Sequence, residues 1–191
     1  MNTNKILIAY ASRSGTTEEI ACFIEKIFIE LNFNVEIKPI KSVTDLKVYN
    51  AVIIGSAIQY DTWLPEVRQF IKNNLNTLTK LPVSFYFSCL TLSQQSQKTR
   101  LKALTYSNKL NSLFPQLKPV SVGQFAGVLN YSKLSFLYRF IFKAVMPILG
   151  VKEGDYRNWG AIKEWAEDVH SKLNNGSIDQ IHVKKEEHKN V

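Results

Sequence analysis

The stretch KILIAYASRSGTTEEI, residues 5–20, decides the fold class that the sequence predicts. Residues 5–10 form a short apolar run typical of a buried strand, and a loop rich in Ser and Gly follows it directly. From Thr16 onward the apolar residues recur every three or four positions, which predicts an amphipathic helix. Glu18 and Glu19 lie in its first turn, where the helix dipole favours negative charge. The stretch therefore indicates a strand, a loop and a helix in direct succession.

The same alternation continues along the chain. Apolar runs bounded by polar or turn residues predict further strands at residues 33–38, 51–55, 83–87 and 120–129. Periodic apolar faces predict a helix from near Leu64 and others at residues 101–113, 133–149 and 161–173. This order favours an α/β fold, a doubly wound sheet of five parallel strands with helices on both faces. We expect one domain over residues 1–173 and a disordered polar tail over residues 174–191.

The composition fits a globular domain in a reducing compartment. Apolar residues make up 45% of the 191 residues, which is a normal share for a packed core. Two cysteines, Cys22 and Cys89, are too few for a disulfide-stapled secreted scaffold. We expect no secretory signal and no spanning helix, because no uncharged apolar run is long enough. A cytoplasmic location is therefore expected.

The charge is positive and unevenly distributed. The formal net charge is +8, and every charged side chain between Glu66 and Glu153 is Lys or Arg. Such a one-sided region predicts an anionic partner, either lipid headgroups, nucleic acid or a polyanionic small molecule. The alternative is that the basic residues only keep the protein in solution. We expect no nucleic-acid partner, because no recognised binding motif accompanies the charge.

The loop SRSGTT at residues 12–17 has the features of a phosphate-binding site. In doubly wound sheets, ligands bind at the carboxyl ends of the strands, where helix N-termini offer free N–H groups. Hydroxyl groups of Ser12, Ser14 and Thr17 can donate to phosphate oxygens, Gly15 permits close backbone approach, and Arg13 adds charge. The loop matches neither the P-loop nor the dinucleotide fingerprint, which disfavours those two nucleotide sites. A helix cap without a ligand is the alternative.

The pattern S-x-S-G-x-T at residues 12–17 resembles the FMN phosphate loop of flavodoxins. Later segments are similar to the menaquinone-dependent protoporphyrinogen IX dehydrogenase family: GSAIQY at 55–60, FAGVL at 125–129, the aromatic and basic insert, and DYRNW at 155–159. The resemblance implies an FMN enzyme of haem biosynthesis. Such an enzyme oxidises protoporphyrinogen IX to protoporphyrin IX and passes electrons to menaquinone or another membrane quinone. Gln59 departs from the family pattern, in which a basic residue is expected.

The resemblance implies three loops around the flavin. The residues expected to bind it are Ser12, Arg13, Ser14, Gly15, Thr16 and Thr17 in the first loop, Ala57, Ile58, Gln59 and Tyr60 in the second, and Ser88, Cys89, Leu90 and Thr91 in the third. Either Tyr60 or Trp63 is expected to stack on the ring. Trp63 packing beneath the next helix is the alternative. No catalytic side chain and no metal ligand are assigned, because the cysteines and histidines lack the spacing of a reactive or metal-binding group.

The insert, about residues 131–152, predicts a basic amphipathic helix at residues 133–149. Its length is too short to span a bilayer, and its cations oppose spanning. Basic amphipathic helices with aromatic side chains lie in the membrane interface. We expect a membrane and substrate surface formed by Lys133, Phe136, Arg139, Phe140 and Lys143. The cytoplasmic protein is therefore expected to associate peripherally with the inner face of the cell membrane. Packing on the domain or in an oligomer interface is the alternative, and the oligomeric state is left open.

Two other functions stay open at this point. A flavodoxin-type FMN electron carrier or quinone reductase would have the same fold, although carriers that dock on basic partners are typically acidic. A non-enzymatic basic module that binds membranes and has lost its flavin is the second alternative. The net charge of +8 opposes the carrier, and the hydroxyl-rich loop opposes the module.

Overall fold

A five-stranded parallel sheet forms the centre of the protein. The computed structural model describes residues 5–94, 96–133, 136–148 and 150–187, with the backbone alone for residues 137, 138 and 176–187. The elements in chain order are β1 (Lys5–Ala11), α1 (Thr16–Glu30), β2 (Asn34–Pro39), β3 (Ala51–Gln59), β4 (Thr62–Trp63), α2 (Pro65–Asn73), α3 (Leu75–Leu78), β5 (Val83–Cys89), α4 (Gln97–Leu113), β6 (Val122–Ala126), β7 (Val128–Leu129), α5 (Phe136–Ile148), β8 (Gly154–Asp155) and α6 (Trp159–Glu187).

The strand order β2-β1-β3-β5-β6 confirms the predicted doubly wound fold. All four pairings along this path are parallel. The short strand β4 folds back antiparallel on the end of β3, and β7 and β8 form a separate two-stranded ribbon. Parallel pairing places the carboxyl ends of the five strands at one edge of the sheet, where the predicted loops lie.

Two apolar cores cover the two faces of the sheet. One face packs under α2 and α4, and its largest fully buried side chain is Trp63. The other face packs under α1 and α6, and includes Ile8, Ile53 and Tyr86. Because the central strands are buried on both faces, their sequences are continuous apolar runs rather than alternating ones. This is why the sequence predicts these strands well.

The predicted strand at residues 120–129 is divided in the structure. The strand β6 ends at Ala126, and β7 starts at Val128 in a different sheet. Between them the Gly127 N–H donates to the Cys89 carbonyl at 3.0 Å, while the Gly127 carbonyl accepts from Tyr156 N–H at 3.2 Å. The chain therefore leaves the main sheet at Gly127, a contact that the local sequence pattern does not contain. The strand β3 is longer than predicted, since it continues beyond residue 55 to Gln59.

The helix boundaries also differ from the prediction. The helix α4 begins at Gln97 because Ser96 and Thr99 form a capping box, in which Thr99 N–H donates to Ser96 Oγ at 3.2 Å. The helix α5 ends at Ile148, and residues 134, 135 and 149 of its predicted span lie outside the described residues.

The helix α6 continues to Glu187, where the polar composition predicts disorder from residue 174. An established helix gains one hydrogen bond with each added residue, so polar residues can extend it beyond the packed part. Residues 188–191 of the predicted tail lie outside the described residues. The domain boundary at residue 173 stays a prediction.

Candidate functional site

A cleft lies at the carboxyl edge of the sheet and unites the three predicted loops. Ten of the fourteen residues expected to bind a cofactor line it. Its lining comprises Arg13, Ser14, Thr16, Thr17, Ala57, Ile58, Gln59, Ser88, Cys89, Leu90, Gly127, Val128, Leu129, Asn130 and Phe142. Ser12 and Gly15 line an adjoining depression instead. The grouping follows from the parallel order of the strands.

The first loop presents the N-terminus of α1 to the cleft. Gly15 precedes the helix with a φ of 86°, a left-handed conformation that is costly for residues with a side chain. Its N–H donates to Ser12 Oγ at 3.0 Å, and the hydroxyls of Ser14 and Thr16 lie 3.4 Å apart. The first-turn N–H groups of a helix have no partner within the helix and attract anions. The loop therefore combines amide and hydroxyl donors, as a phosphate ligand requires.

Thr17 connects the first loop to the third. Its hydroxyl lies 2.9 Å from Ser88 Oγ, and its carbonyl accepts a hydrogen bond of 2.9 Å from the Tyr86 hydroxyl. Burial raises the pKa of Tyr86 well above its usual value, so the phenol stays protonated and remains a donor. The Thr17 hydroxyl, which the sequence predicts as a phosphate donor, is thus engaged with Ser88. Its effect in this structure is to fix the loop.

Arg13 forms a bidentate ion pair with Glu66 at the start of α2. The guanidinium nitrogens lie 2.5 and 2.9 Å from the two carboxylate oxygens. The hydrogen bond from Arg13 lowers the pKa of Glu66, which therefore stays ionised. The positive charge that Arg13 was expected to add to the loop is compensated within the protein.

The second loop is a tight hairpin between β3 and β4. Tyr60 and Asp61 form its turn with φ values of 51° and 58°, a left-handed region that Asp tolerates and that is uncommon for a bulky residue such as Tyr. The Asp61 carboxylate accepts from Lys102 at 2.6 Å and from the Tyr106 hydroxyl at 2.7 Å, which lowers the pKa of Asp61. Anchoring by α4 thus holds the turn, and Tyr60 projects from it with 76% of its surface exposed.

Trp63 does not lie at the cleft, so the prediction that it stacks on a flavin is wrong. Its side chain is fully buried, and its Nε1–H donates to the Tyr106 carbonyl at 2.8 Å. Edge-on contacts with Phe85 and Phe87 fix the indole in the core. These contacts of the indole are thus with α4 and β5, and the alternative, packing beneath the following helix, stays a prediction. Stacking of Tyr60 on a flavin ring stays a prediction.

The third loop leaves β5 through Ser88 and Cys89 and continues as a 3₁₀ turn at Leu90–Ser93. Burial raises the pKa of the Cys89 thiol to about 11, so the thiol is protonated near neutral pH. A buried, protonated thiol fills space in the core and is a poor nucleophile. The Thr91 hydroxyl lies 3.1 Å from the Tyr106 hydroxyl and helps to join this loop to α4.

The cleft has walls that the sequence analysis missed, namely Gly127 to Asn130 and Phe142. The first four follow β6, whose carboxyl end adjoins that of β5 in the sheet. If the fifth strand had been predicted to end at Gly127, these residues would have followed its carboxyl end, where ligand sites lie in such sheets. Phe142 comes from α5, and no local pattern distinguishes it from its apolar neighbours.

The insert packs on the cleft with one face and exposes the other. Phe142 and Met146 contact a small core formed by Leu129, Tyr131 and Val151. The opposite face is apolar yet open to solvent, with exposures of 76% for Phe136, 59% for Phe140 and 84% for Ile148.

The cations of the expected surface contact other parts of the protein, although Lys133 and Lys143 remain exposed to solvent. Arg139 donates to the carbonyls of Tyr131 and Ser132, at 3.0 and 3.2 Å. The Lys143 ammonium lies 5.8 Å from the centre of the Tyr131 ring, and Lys133 binds Glu19 at 3.0 Å. In the described ranges, no helix combines the length and the apolar character that crossing a membrane requires.

Comparison with known proteins identifies the family. A family model described as a flavodoxin domain matches residues 7–155. The chain belongs to the flavodoxin domain family. The matched range covers the sheet and all three loops of the cleft and ends at β8. Flavodoxin domains bind a flavin, and the donors of the first loop fit its phosphate: free N–H groups of α1, three hydroxyls and the left-handed Gly15.

Curated relatives of this flavodoxin-like chain are enzymes. Protoporphyrinogen IX dehydrogenase [quinone] of Escherichia coli strain K12 is 26% identical over 174 residues, covering 86% of this chain and 94% of the relative. The protein of the same name in Leishmania major is 27% identical over 174 residues, with 86% and 74% covered. The resemblance to this enzyme family that the sequence motifs indicate is thereby confirmed.

Solved flavodoxins share the fold of the chain. Oxidised Flavodoxin 2 from Bacillus cereus superposes with a TM-score of 0.58 at 19% identity, over 88% of this chain and 99% of that one. A flavodoxin from the domain Archaea gives a TM-score of 0.53 at 16% identity, over 89% and 99%. At such identities the likeness concerns the fold alone.

Proposed function

We propose that the cleft binds FMN, with the phosphate at residues 12–17 and the ring between the second and third loops. The observation that carries this proposal is the first loop, which joins a left-handed Gly15 to the free N–H groups of α1. Hydroxyls of Ser12, Ser14 and Thr16 add donors, and residues 57–59 of the second loop and 88–90 of the third line the space for the ring. Bound there, the flavin supplies two-electron redox chemistry.

The protein's own residues hold and shield this site. The bonds of Thr17 to Ser88 and Tyr86 keep the first and third loops at a fixed separation. Phe142 places an apolar wall from the insert beside the cleft, which limits the access of water. Among the described side chains that line the cleft, Arg13 and Cys89 are the titratable ones. Arg13 is paired with Glu66, and the buried Cys89 thiol stays protonated near neutral pH, so neither is assigned as a proton carrier.

We propose that the reaction is the stepwise oxidation of protoporphyrinogen IX, with electrons passed to menaquinone or another quinone. The names of the curated relatives support this substrate pair, since their matches extend over 86% of the chain. The α5 wall supports it as well, because a macrocycle and an isoprenoid quinone both need apolar contact. The net charge of +8 suits a substrate that carries propionate groups.

Anaerobic mixing of the FMN-loaded protein with protoporphyrinogen IX tests this reaction. The flavin absorbance should bleach without any reductase, and added menaquinone should restore it while porphyrin fluorescence rises. Free FMN at the same concentration is the control. Bleaching that requires NAD(P)H and a reductase partner would instead identify an electron carrier. No bleaching under either condition would contradict the proposed substrate.

We also propose that the exposed face of α5 contacts an anionic membrane surface. Three side chains on that face, Phe136, Phe140 and Ile148, are more than half exposed, and apolar groups at this exposure gain by entering a lipid interface. Lys143 on the same helix is exposed beside them. Basic residues near anionic lipid contribute about 1 kcal/mol each.

Vesicle binding tests the membrane contact. The triple variant Phe136→Ser, Phe140→Ser, Ile148→Ser should lose sedimentation with vesicles of anionic phospholipid. A matched control replaces Leu101, Leu104 and Leu113 of α4 by Ser, because these residues are similarly exposed on another helix. The control should sediment like the unaltered protein. Equal sedimentation of both variants would contradict the assignment of α5.

A further inference from the structure

The insert places a lysine beside the phosphate loop. Lys133 belongs to the 3₁₀ turn Tyr131–Lys133, which opens the insert. A Cβ atom built on Gly15 would lie 3.6 Å from Lys133 Nζ and 3.8 Å from Glu19 Oε1. The ammonium is therefore in contact with the start of α1, although 118 positions separate Lys133 from Gly15 in the chain.

A cation beside this loop would strengthen its binding of a phosphate monoester, and Arg13 does not supply one. Both carboxylate oxygens of Glu66 bind the Arg13 guanidinium. The remaining donors of the loop are neutral N–H and hydroxyl groups. Hydrogen bonds to an ionised donor are roughly twice as strong as neutral ones. Lys133 is thus a cation that the structure sets next to Gly15 in this loop.

Glu19 has a second cationic partner besides Lys133. Its second oxygen lies 2.6 Å from Arg157, which also binds Asp155 at 2.6 Å and stacks 4.4 Å from the Trp159 ring centre. The Arg157 side chain is 8% exposed and the Lys133 side chain 45%. The hydrogen bond from Arg157 is the main cause of the lowered pKa of Glu19. Arg157 is therefore the fixed partner, and Lys133 is the solvent-exposed one.

We propose that Lys133 is a phosphate-binding residue supplied by the insert, and that Glu19 competes with the flavin phosphate for its ammonium. The proposal rests on FMN as the ligand of the cleft. Arg139 and Glu153 hold the turn that carries Lys133, through its carbonyls and the Tyr131 N–H respectively. Phosphate binding at the loop is thereby linked to the position of the insert that forms the wall and the exposed apolar face.

Binding constants for FMN and riboflavin, measured by quenching of flavin fluorescence, test the first part. Lys133→Gln should weaken FMN binding by roughly tenfold or more, the usual scale of one charge-assisted hydrogen bond, and leave riboflavin binding unchanged because riboflavin lacks the phosphate. Lys172→Gln is the matched control, because the Lys172 side chain is similarly exposed and binds Asp168 at 2.6 Å on α6, and it should bind both flavins normally. Unchanged FMN affinity in Lys133→Gln, with circular dichroism confirming its fold, would overturn the proposal.

The variant Glu19→Gln tests whether Glu19 competes with the flavin phosphate for Lys133 or only forms a structural ion pair with it. Removal of the competing carboxylate should tighten FMN binding, and the gain should vanish in the double variant with Lys133→Gln. If Glu19→Gln weakens binding as much as Lys133→Gln, the pair is only structural. If the double variant still binds FMN more tightly than Lys133→Gln does, Glu19 acts on the phosphate through its charge alone. Either result would overturn the competition.

Hydrogen exchange tests the link to the insert. Saturating FMN should slow amide exchange at residues 131–133 and 136–148 in the unaltered protein, whereas saturating riboflavin should do so less. The FMN effect should be lost in Lys133→Gln at saturating FMN. Equal protection by the two flavins would overturn the link. A protein that binds neither flavin would overturn the FMN site itself, a result distinct from all the others.

Discussion

Gly55 shows how one residue without a side chain shapes the cleft. A Cβ atom at this position would lie 2.1 Å from Tyr86 Cζ, far closer than any normal contact. The Tyr86 ring lies directly over the glycine, and its hydroxyl reaches the Thr17 carbonyl. The small residue in β3 thus permits the hydrogen bond that steadies the first loop.

Gly55→Ala should therefore displace the Tyr86 ring. We expect the free energy of unfolding to fall by about 1–3 kcal/mol, the usual cost of overpacking, and FMN binding to weaken. Urea unfolding followed by circular dichroism measures the first effect. Gly127→Ala is the control for stability, because its nearest neighbour would lie at an ordinary 3.6 Å. Equal stability of the two variants would contradict the role of Gly55.

The aromatic residues of the second loop make a second prediction at this scale. Trp63→Phe should keep the visible spectrum of the bound flavin and cost about 1 kcal/mol of stability, because one buried hydrogen bond to Tyr106 is lost. Tyr60→Ala should leave stability nearly unchanged and shift the flavin spectrum, since Tyr60 is exposed and follows Gln59, which lines the cleft. A spectral shift in Trp63→Phe but not in Tyr60→Ala would show that Trp63, and not Tyr60, contacts the flavin.

Among the elements, α5 is a helix whose packed face cannot be predicted from the periodicity of its apolar residues. Its sequence is apolar on nearly every side, so the pattern predicts a helix without indicating which face packs. The structure turns Phe142 and Met146 inward and leaves Phe136 and Ile148 outside. The choice depends on the neighbouring Leu129 and Val151, which lie in other segments of the chain.

The edge strand β2 carries a pH-dependent contact. Glu36 binds Lys5 at 2.8 Å, Lys38 at 2.5 Å and the Tyr49 hydroxyl at 2.7 Å. These partners, Lys38 first, lower the pKa of Glu36 to about 2. A carboxyl whose pKa is lower in the folded than in the unfolded protein stabilises the fold above the unfolded value. That contribution is lost as the pH falls through the folded value.

Glu36→Gln should therefore be less stable than the unaltered protein near neutral pH, by up to about 1 kcal/mol because the pair is partly exposed. The difference should shrink as the pH falls from about 4.5 towards 2, the two limits of the Glu36 titration. Urea unfolding at a series of pH values gives the comparison. A difference that is constant or larger in acid would contradict this account.

For the whole molecule, the alternation of strands and helices was sufficient to predict the sheet, because central strands buried on both faces have continuous apolar sequences. The carboxyl-end rule then located most of the cleft. The ion pairs of Arg13 with Glu66 and of Lys133 with Glu19 could not be predicted. They join residues 53 and 114 positions apart, and no local pattern records such contacts.

The most direct test of the account is titration of the flavin-free protein with FMN, followed by flavin fluorescence. We predict quenching that saturates at one FMN per chain, and much weaker binding of FMN to Gly15→Val, whose side chain strains the left-handed turn at a φ of 86°. Absence of quenching by the unaltered protein, or equal binding by the variant, would contradict a flavin phosphate site at the first loop.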